Sequence, residues 1–114
     1  MTSSRQRRGF DGETSAAQWY EARGYEVLDR NWRCRRGELD LVLRLGSTLV
    51  FCEVKSRASD RFGTGAEAIT YDKRARIRRL AAKWLAAKSA RPASIRFDVA
   101  TIRGDQLDVI EAAF

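Results

Sequence analysis

Two short β-like runs hold the residues that could do chemistry in this chain: Glu38 and Asp40 in the first, and Glu53 and Lys55 in the second. The runs, 38–45 and 48–55, are joined by Gly46-Ser47, a dipeptide suited to a type II′ hairpin turn. With that turn Leu45 faces Thr48, and the register follows by counting back. Leu39/Val54, Leu41/Cys52 and Leu43/Val50 make an apolar face expected to meet the core. The opposite face sets Val42 against Phe51, Asp40 against Glu53, and Glu38 against Lys55. Directly opposed Cβ atoms lie roughly 4.5–5.5 Å apart, where two carboxylates repel. A divalent cation offsets that repulsion, and Mg²⁺ characteristically takes one or two carboxylates while keeping several waters. An all-oxygen ligand set favours Mg²⁺ or Mn²⁺ over zinc. The remaining positions can take a phosphate and a nucleophilic water, and Lys55, on the face of Glu53, would reach the same phosphate. The pattern outlines a phosphodiester-cleaving site. The competing reading is a solvated face with surface ion pairs, which suits Glu38 with Lys55 best.

Composition narrows the alternatives. The chain has no His, so Ser-His-Asp triads, Cys-His pairs and His-based nucleases are excluded, and any catalysis uses carboxylates, Lys or Tyr. Cys34 and Cys52 lack His partners for a zinc cluster and read as reduced thiols.

Simple elements account for how the hairpin would be positioned. Residues 1–8, rich in Arg and Ser, read as a flexible basic arm, and 9–114 as a single domain. A helix is expected from about Gly9 to Arg23, stopped by Gly24, then a short strand over 25–31 and a basic connection over 33–37. Beyond the hairpin, 56–64 reads as a loop and Thr70 as the cap of a helix reaching about Lys88, ended by Arg91-Pro92. Strands over 94–102 and 106–110 complete the order α, β, β, β, α, β, β. Glu13 precedes Ala17 and Tyr20 along the apolar stripe of the first helix. It is either a further ligand brought over the hairpin or a solvated first-turn acid favoured by the helix dipole.

Lys and Arg number 22 against 15 Asp and Glu, giving a net charge of +7 and a pI of about 10.1. Polyanions are the expected partners, with nucleic acid first. No apolar run approaches the roughly 20 residues of a membrane span and no signal-peptide pattern opens the chain, so a cytoplasmic location is expected. Lys73, Arg74 and Arg76 on the second helix, with Arg35 and Arg36 before the hairpin, are the candidate nucleic-acid contacts. Trp19, Trp32 and Trp84 interleave with apolar residues and read as core aromatics.

Gly37-Glu38-Leu39-Asp40 followed by Glu53-Val54-Lys55 resembles the PD-(D/E)XK restriction-endonuclease-like superfamily, and most closely its YraN-like family. Gly12-Glu13, Asn31-Trp32-Arg33 and Phe97-Asp98-Val99 match further parts of that family's pattern, so the resemblance runs from Gly9 to about Ile110. Tyr71 departs from it, standing where Pro is expected in the helix's first turn. The resemblance implies an α/β fold with an αβββαβ core, a mixed sheet flanked by helices. It further implies Asp40, Glu53, the Val54 carbonyl and Glu13 at a metal site, with Lys55 as the catalytic lysine.

The expected function is therefore a Mg²⁺- or Mn²⁺-dependent endonuclease acting on nucleic acid, DNA before RNA, with branched junctions among the substrates. The alternative is a non-catalytic nucleic-acid-binding or accessory protein retaining the fold. A weaker expectation is a homodimer formed through Phe51, Phe62 or Trp84.

Overall fold

The computed structural model describes residues 4–56 and 69–114, with side chains from Gly12 onward. The loop expected at 56–64 therefore lies outside the described residues beyond Ser56, and Phe62 with it. The element order is α1 (Ser4–Glu21), β1 (Glu26–Cys34), β2 (Gly37–Leu45), β3 (Thr48–Ser56), α2 (Tyr71–Lys88), β4 (Ser94–Arg103) and β5 (Gln106–Ile110). The strands form one mixed sheet in the order β1-β2-β3-β4-β5, in which only β3 and β4 run parallel. This is the α/β architecture expected from the sequence, and it is compatible with a restriction-endonuclease-like core.

Several boundaries differ from expectation for local reasons. Helix α1 starts at Ser4 rather than Gly9 and takes in residues 4–8 of the segment expected to be an arm, because Arg and Gln there are good helix formers. It ends as expected before Gly24, whose φ of 89° is of the left-handed kind Gly adopts without penalty. Strand β1 continues through Trp32 to Cys34, into the basic connection expected over 33–37, since Trp32, Arg33 and Cys34 pair with Leu39, Glu38 and Gly37 across a tight Arg35-Arg36 turn. Helix α2 has Thr70 as its N-cap, with Oγ1 accepting the N–H of Lys73 at 3.2 Å. Its end comes at Ser89, which takes left-handed angles and donates to carbonyls of the last turn, before Arg91-Pro92 is reached.

The turn of the central hairpin is of type II′, with φ 62° at Gly46 and no positive φ at Ser47. Its register, Leu45↔Thr48 through Leu41↔Cys52, is the one counted from the sequence. Beyond Leu41 and Cys52 the regular pairing stops, so the expected pairs at 40/53, 39/54 and 38/55 do not form as ladder rungs. Both faces of the hairpin are buried, contrary to the expectation of a single core face. Leu41, Leu43, Val50 and Cys52 pack with Ala16, Ala17 and Tyr20 of α1. Val42, Leu49 and Phe51 pack with Ile77, Leu80, Ala81 and Trp84 of α2. Leu39 joins the α2 side although Leu41 belongs to the α1 side, so the two-residue alternation of a strand is lost at Asp40. Phe51 and Trp84 are 1% and 3% exposed, which makes them core residues and not dimer contacts.

Gly37 has φ 148°, and a Cβ there would lie 3.3 Å from Cδ1 of Leu80. Gly37→Ala should therefore destabilise the protein by about 1–3 kcal/mol, the scale of a residue forced into a disfavoured backbone region. Urea denaturation would measure it, and a loss under a few tenths of a kcal/mol would show that β2 relaxes around the methyl group.

Candidate active site

The break in strand alternation is what builds the site. Where β1 and β2 pair, the register passes from Arg30↔Leu41 to Trp32↔Leu39, and Asn31 between them has φ 50°. Asn tolerates that left-handed conformation better than most residues. Across from it, the Asp40 side chain replaces a ladder partner: its Oδ2 accepts the backbone N–H of Val54 at 2.8 Å. Asp40 is thereby fixed between β2 and β3, at the point where the two strands diverge.

Glu13 arrives from α1, and the residue before it explains how. Gly12 is buried, and a Cβ at this position would already touch Ile102 and Val54 at 3.4 and 3.5 Å. The absence of a side chain lets α1 cross close over β3 and β4. Asn31 Nδ2 then donates to Glu13 Oε2 at 2.6 Å, and Arg30 donates to Thr14 Oγ1 at 3.0 Å, so β1 holds this end of the helix. The Glu13 carboxylate is turned toward the hairpin and joins those of Glu38 and Asp40, with one oxygen from each within 4.8 Å of the others.

Glu38 is a member of this group that sequence reasoning set aside as half of a surface pair with Lys55. Its partner is instead Arg33 at 2.8 Å, on the neighbouring strand. The available signal was its position two residues before Asp40, which puts successive carboxylates on one strand face. Asn31 was likewise legible as part of a motif but without a role. Glu53 lies near this group, but its Oε1 is 2.9 Å from Lys73 Nζ of α2. Lys55 is not opposite Glu38; its side chain lies close to that of Lys73.

The electrostatics follow from crowding of like charges. Burial and the negative charge of Glu53 push Asp40 up to about 7, against the opposing effect of the Val54 N–H. Burial also raises Glu13, while the Asn31 amide and Arg30 work in the other direction. The Lys55 ammonium is held below its ordinary range, first by its contact with Lys73 and then by burial. Burial pulls Lys73 down as well, yet its neighbours Lys55 and Glu53 leave it raised overall.

Asp40, Glu38 and Glu53 line a cleft of about 510 Å³ together with Lys73, Arg76 and Arg35. Arg36 is exposed in the turn beside Arg35. Arg74 is directed elsewhere: its Nε donates to the carbonyl of Ile69 at 3.1 Å and its guanidinium lies over Phe114. Trp84 is in the core, and Trp19 and Trp32 are partly buried against it, as their apolar neighbours suggested.

The family model for "Uncharacterised protein family UPF0102" matches residues 12–102, a span that begins at Gly12-Glu13 and includes both strands of the hairpin. The chain belongs to this family. A UPF0102 protein of Frankia alni is 59% identical over 94 residues, covering 82% of this chain and 78% of the relative. One from Beutenbergia cavernae is 55% identical over 94 residues, covering 82% and 80%. One from Moorella thermoacetica is 42% identical over 120 aligned positions, covering the whole of both chains. UPF0102 is the YraN-like family that the motifs pointed to, and its description carries no activity. Among the described residues of this UPF0102 member, no helix is long and apolar enough to cross a membrane.

Proposed function

We propose that this protein is a Mg²⁺- or Mn²⁺-dependent endonuclease that hydrolyses phosphodiester bonds in nucleic acid, DNA in preference to RNA, with branched DNA among its substrates. The observation that carries this reading is the convergence of Glu13, from a helix, with Glu38 and Asp40, two strand residues that line a cleft also lined by basic residues. Oxygen ligands on opposite sides of a Mg²⁺-sized ion are about 4 Å apart, so a group spread over 4.8 Å or less needs only slight contraction to hold one. A charged carboxylate that burial and its neighbours resist, as at Asp40, is stabilised by such an ion.

Asp40, Glu13 and Glu38, with Glu53 as a further ligand and the Val54 carbonyl implied by the family resemblance, would hold the ion. When bound, it supplies a Lewis acid at the scissile phosphate and a water acidified enough to attack. The protein's own contribution is placement. The Val54 N–H keeps Asp40 oriented, and Asn31 keeps Glu13 turned inward. Lys55 neutralises negative charge developing on the phosphate. Arg35 and Arg76 along the cleft, with Arg36 at its rim, pair with flanking phosphates, which makes binding steeply salt-dependent.

The test is a Mn²⁺ titration of the purified protein and of an Asp40→Ala, Glu53→Ala double variant, with thermal unfolding and cleavage assays on junction, duplex and single-stranded DNA. Mn²⁺ should raise the Tm of the unaltered protein alone, and only that protein should cut. Salt-dependent DNA binding by both proteins with no metal-dependent cutting would instead identify a non-catalytic accessory protein.

A further inference from the structure

Glu53 differs from the other acids of the cleft in what it faces. Asn31 holds Glu13 with a neutral amide, Val54 holds Asp40 with a backbone N–H, and Arg33 meets Glu38 with a side chain that is 78% exposed. Glu53 meets a full positive charge inside the cleft: Lys73 Nζ at 2.9 Å, in a pair whose side chains are only 25% and 11% exposed. Screening by water is weak at such burial, so the pair is a substantial interaction. The group whose oxygens already converge contains Glu13, Glu38 and Asp40 but not Glu53.

The placement of Lys73 allows exchange. Its backbone is fixed, because its N–H is bonded to Thr70 Oγ1 in the first turn of α2. Its stem is long and turns about several bonds, so the ammonium can leave Glu53 without moving the helix. A divalent ion that uses Glu53 as a ligand must first break the ion pair. The displaced ammonium would then stand beside Lys55 and along the wall shared with Arg76 and Arg35, facing the space a phosphate would enter.

We propose that Lys73 is a built-in counter-cation: it holds Glu53 while no divalent ion is bound, yields it to that ion, and then becomes a ligand of the substrate's phosphate backbone. This rests on the metal-dependent reading of the site given above. It makes metal and polyanion binding mutually reinforcing, because each favours the same detached Lys73, and the coupling must be equal in both directions. A lysine committed to a static ion pair would give no such coupling.

Calorimetric titration with Mn²⁺ alone tests the exchange directly. Lys73→Met keeps the stem and removes the competing charge, and should bind Mn²⁺ at least about 10-fold more tightly than the unaltered protein, the scale of a typical site-to-site coupling. Lys73→Arg should restore the weaker affinity. Arg76→Gln removes the same charge from the same cleft without touching Glu53, and should change Mn²⁺ affinity by less than about 3-fold. In a Glu53→Gln background, Lys73→Met should have no effect. For DNA of mixed sequence, Mn²⁺ should strengthen binding to the unaltered protein by a larger factor than binding to Lys73→Met, which gains only the ion's own contact with the phosphate. Equal Mn²⁺ affinity in Lys73→Met and the unaltered protein, or an equal gain in Arg76→Gln, overturns the exchange while leaving the metal site standing. No Mn²⁺ binding by any variant overturns the metal-dependent reading, and this proposal with it.

Discussion

Asp40→Asn should abolish metal-dependent cleavage and, in the presence of a chelator, make the protein more stable than the unaltered chain above about pH 7. The two effects have one origin. Burial, with repulsion from Glu53, Glu13 and Glu38 added to it, pushes Asp40 up to about 7 in the folded protein against 3.8 for an ordinary Asp. The folded state thus holds a proton that the unfolded state has lost between these values. Stability from this group is present below about pH 4, is lost as the pH rises through 7, and stays lost above it. Asn has no charge to lose and its amide oxygen can still accept the Val54 N–H. The gain should therefore be near zero at pH 4 and reach about 2–4 kcal/mol at pH 8, since each tenfold change in proton affinity is worth about 1.4 kcal/mol. Saturating Mn²⁺ should reverse the order, because it stabilises only a chain that binds it. Cleavage should fall by at least about 100-fold, the range seen when one group that stabilises developing charge is removed. The crossing pH-stability curves, with and without Mn²⁺, are the measurement. Parallel curves would mean that Asp40 is an ordinary solvated acid.

Asp98→Ala should cost about 3–5 kcal/mol, a large part of the roughly 5–15 kcal/mol that holds a domain of this kind together. Asp98 has no exposed surface. One oxygen accepts from Tyr20 Oη at 2.6 Å and from Arg96 at 2.8 Å; the other accepts from Arg96 at 2.8 Å and from the N–H of Ala112 at 3.0 Å. The carboxylate therefore ties α1, β4 and the C-terminal segment to one point. Arg96 extends the network to Tyr25 Oη at 3.0 Å. Burial, with Cys52 and Asp98 nearby, raises the Tyr20 hydroxyl far above its ordinary range, so it remains a donor at any physiological pH. Truncating Asp98 leaves the buried Tyr20 hydroxyl without its acceptor and strips Arg96 of its main partner, leaving it Tyr25 Oη and, at 3.7 Å, Glu111. Asp98→Asn should lose less, since its amide oxygen can still accept one or two of these bonds. Urea unfolding with an unchanged m-value would confirm a folded-state effect, and a cost below about 1 kcal/mol would show that water enters and satisfies the donors. The same network links α1 to the sheet that carries the candidate site, so loss of Asp98 should weaken Mn²⁺ binding even where the chain still folds.

The local features of this chain were legible because each rests on neighbours in sequence. Gly46-Ser47 set the hairpin turn and thereby its register as far as Leu41 and Cys52, and Thr70 marked the start of the second helix. Asp40, Glu53, Lys55 and Glu13 were singled out by residue type and spacing, and the ordered motifs pointed to the family. What only the tertiary structure decided is how these residues meet. Leu39 left the face of Leu41 because Asn31 and Asp40 interrupt the pairing of β1, β2 and β3, an event that no single strand's alternation encodes. Glu38 joined the carboxylate group once Arg33 drew its partner role away from Lys55. Lys73 found Glu53, and Asp98 found Tyr20, across separations of 20 and 78 residues. Periodicity and turn chemistry report contacts between near neighbours, whereas the charge on a buried carboxylate depends on groups brought to it by separate elements, and these are brought together only when the chain has folded.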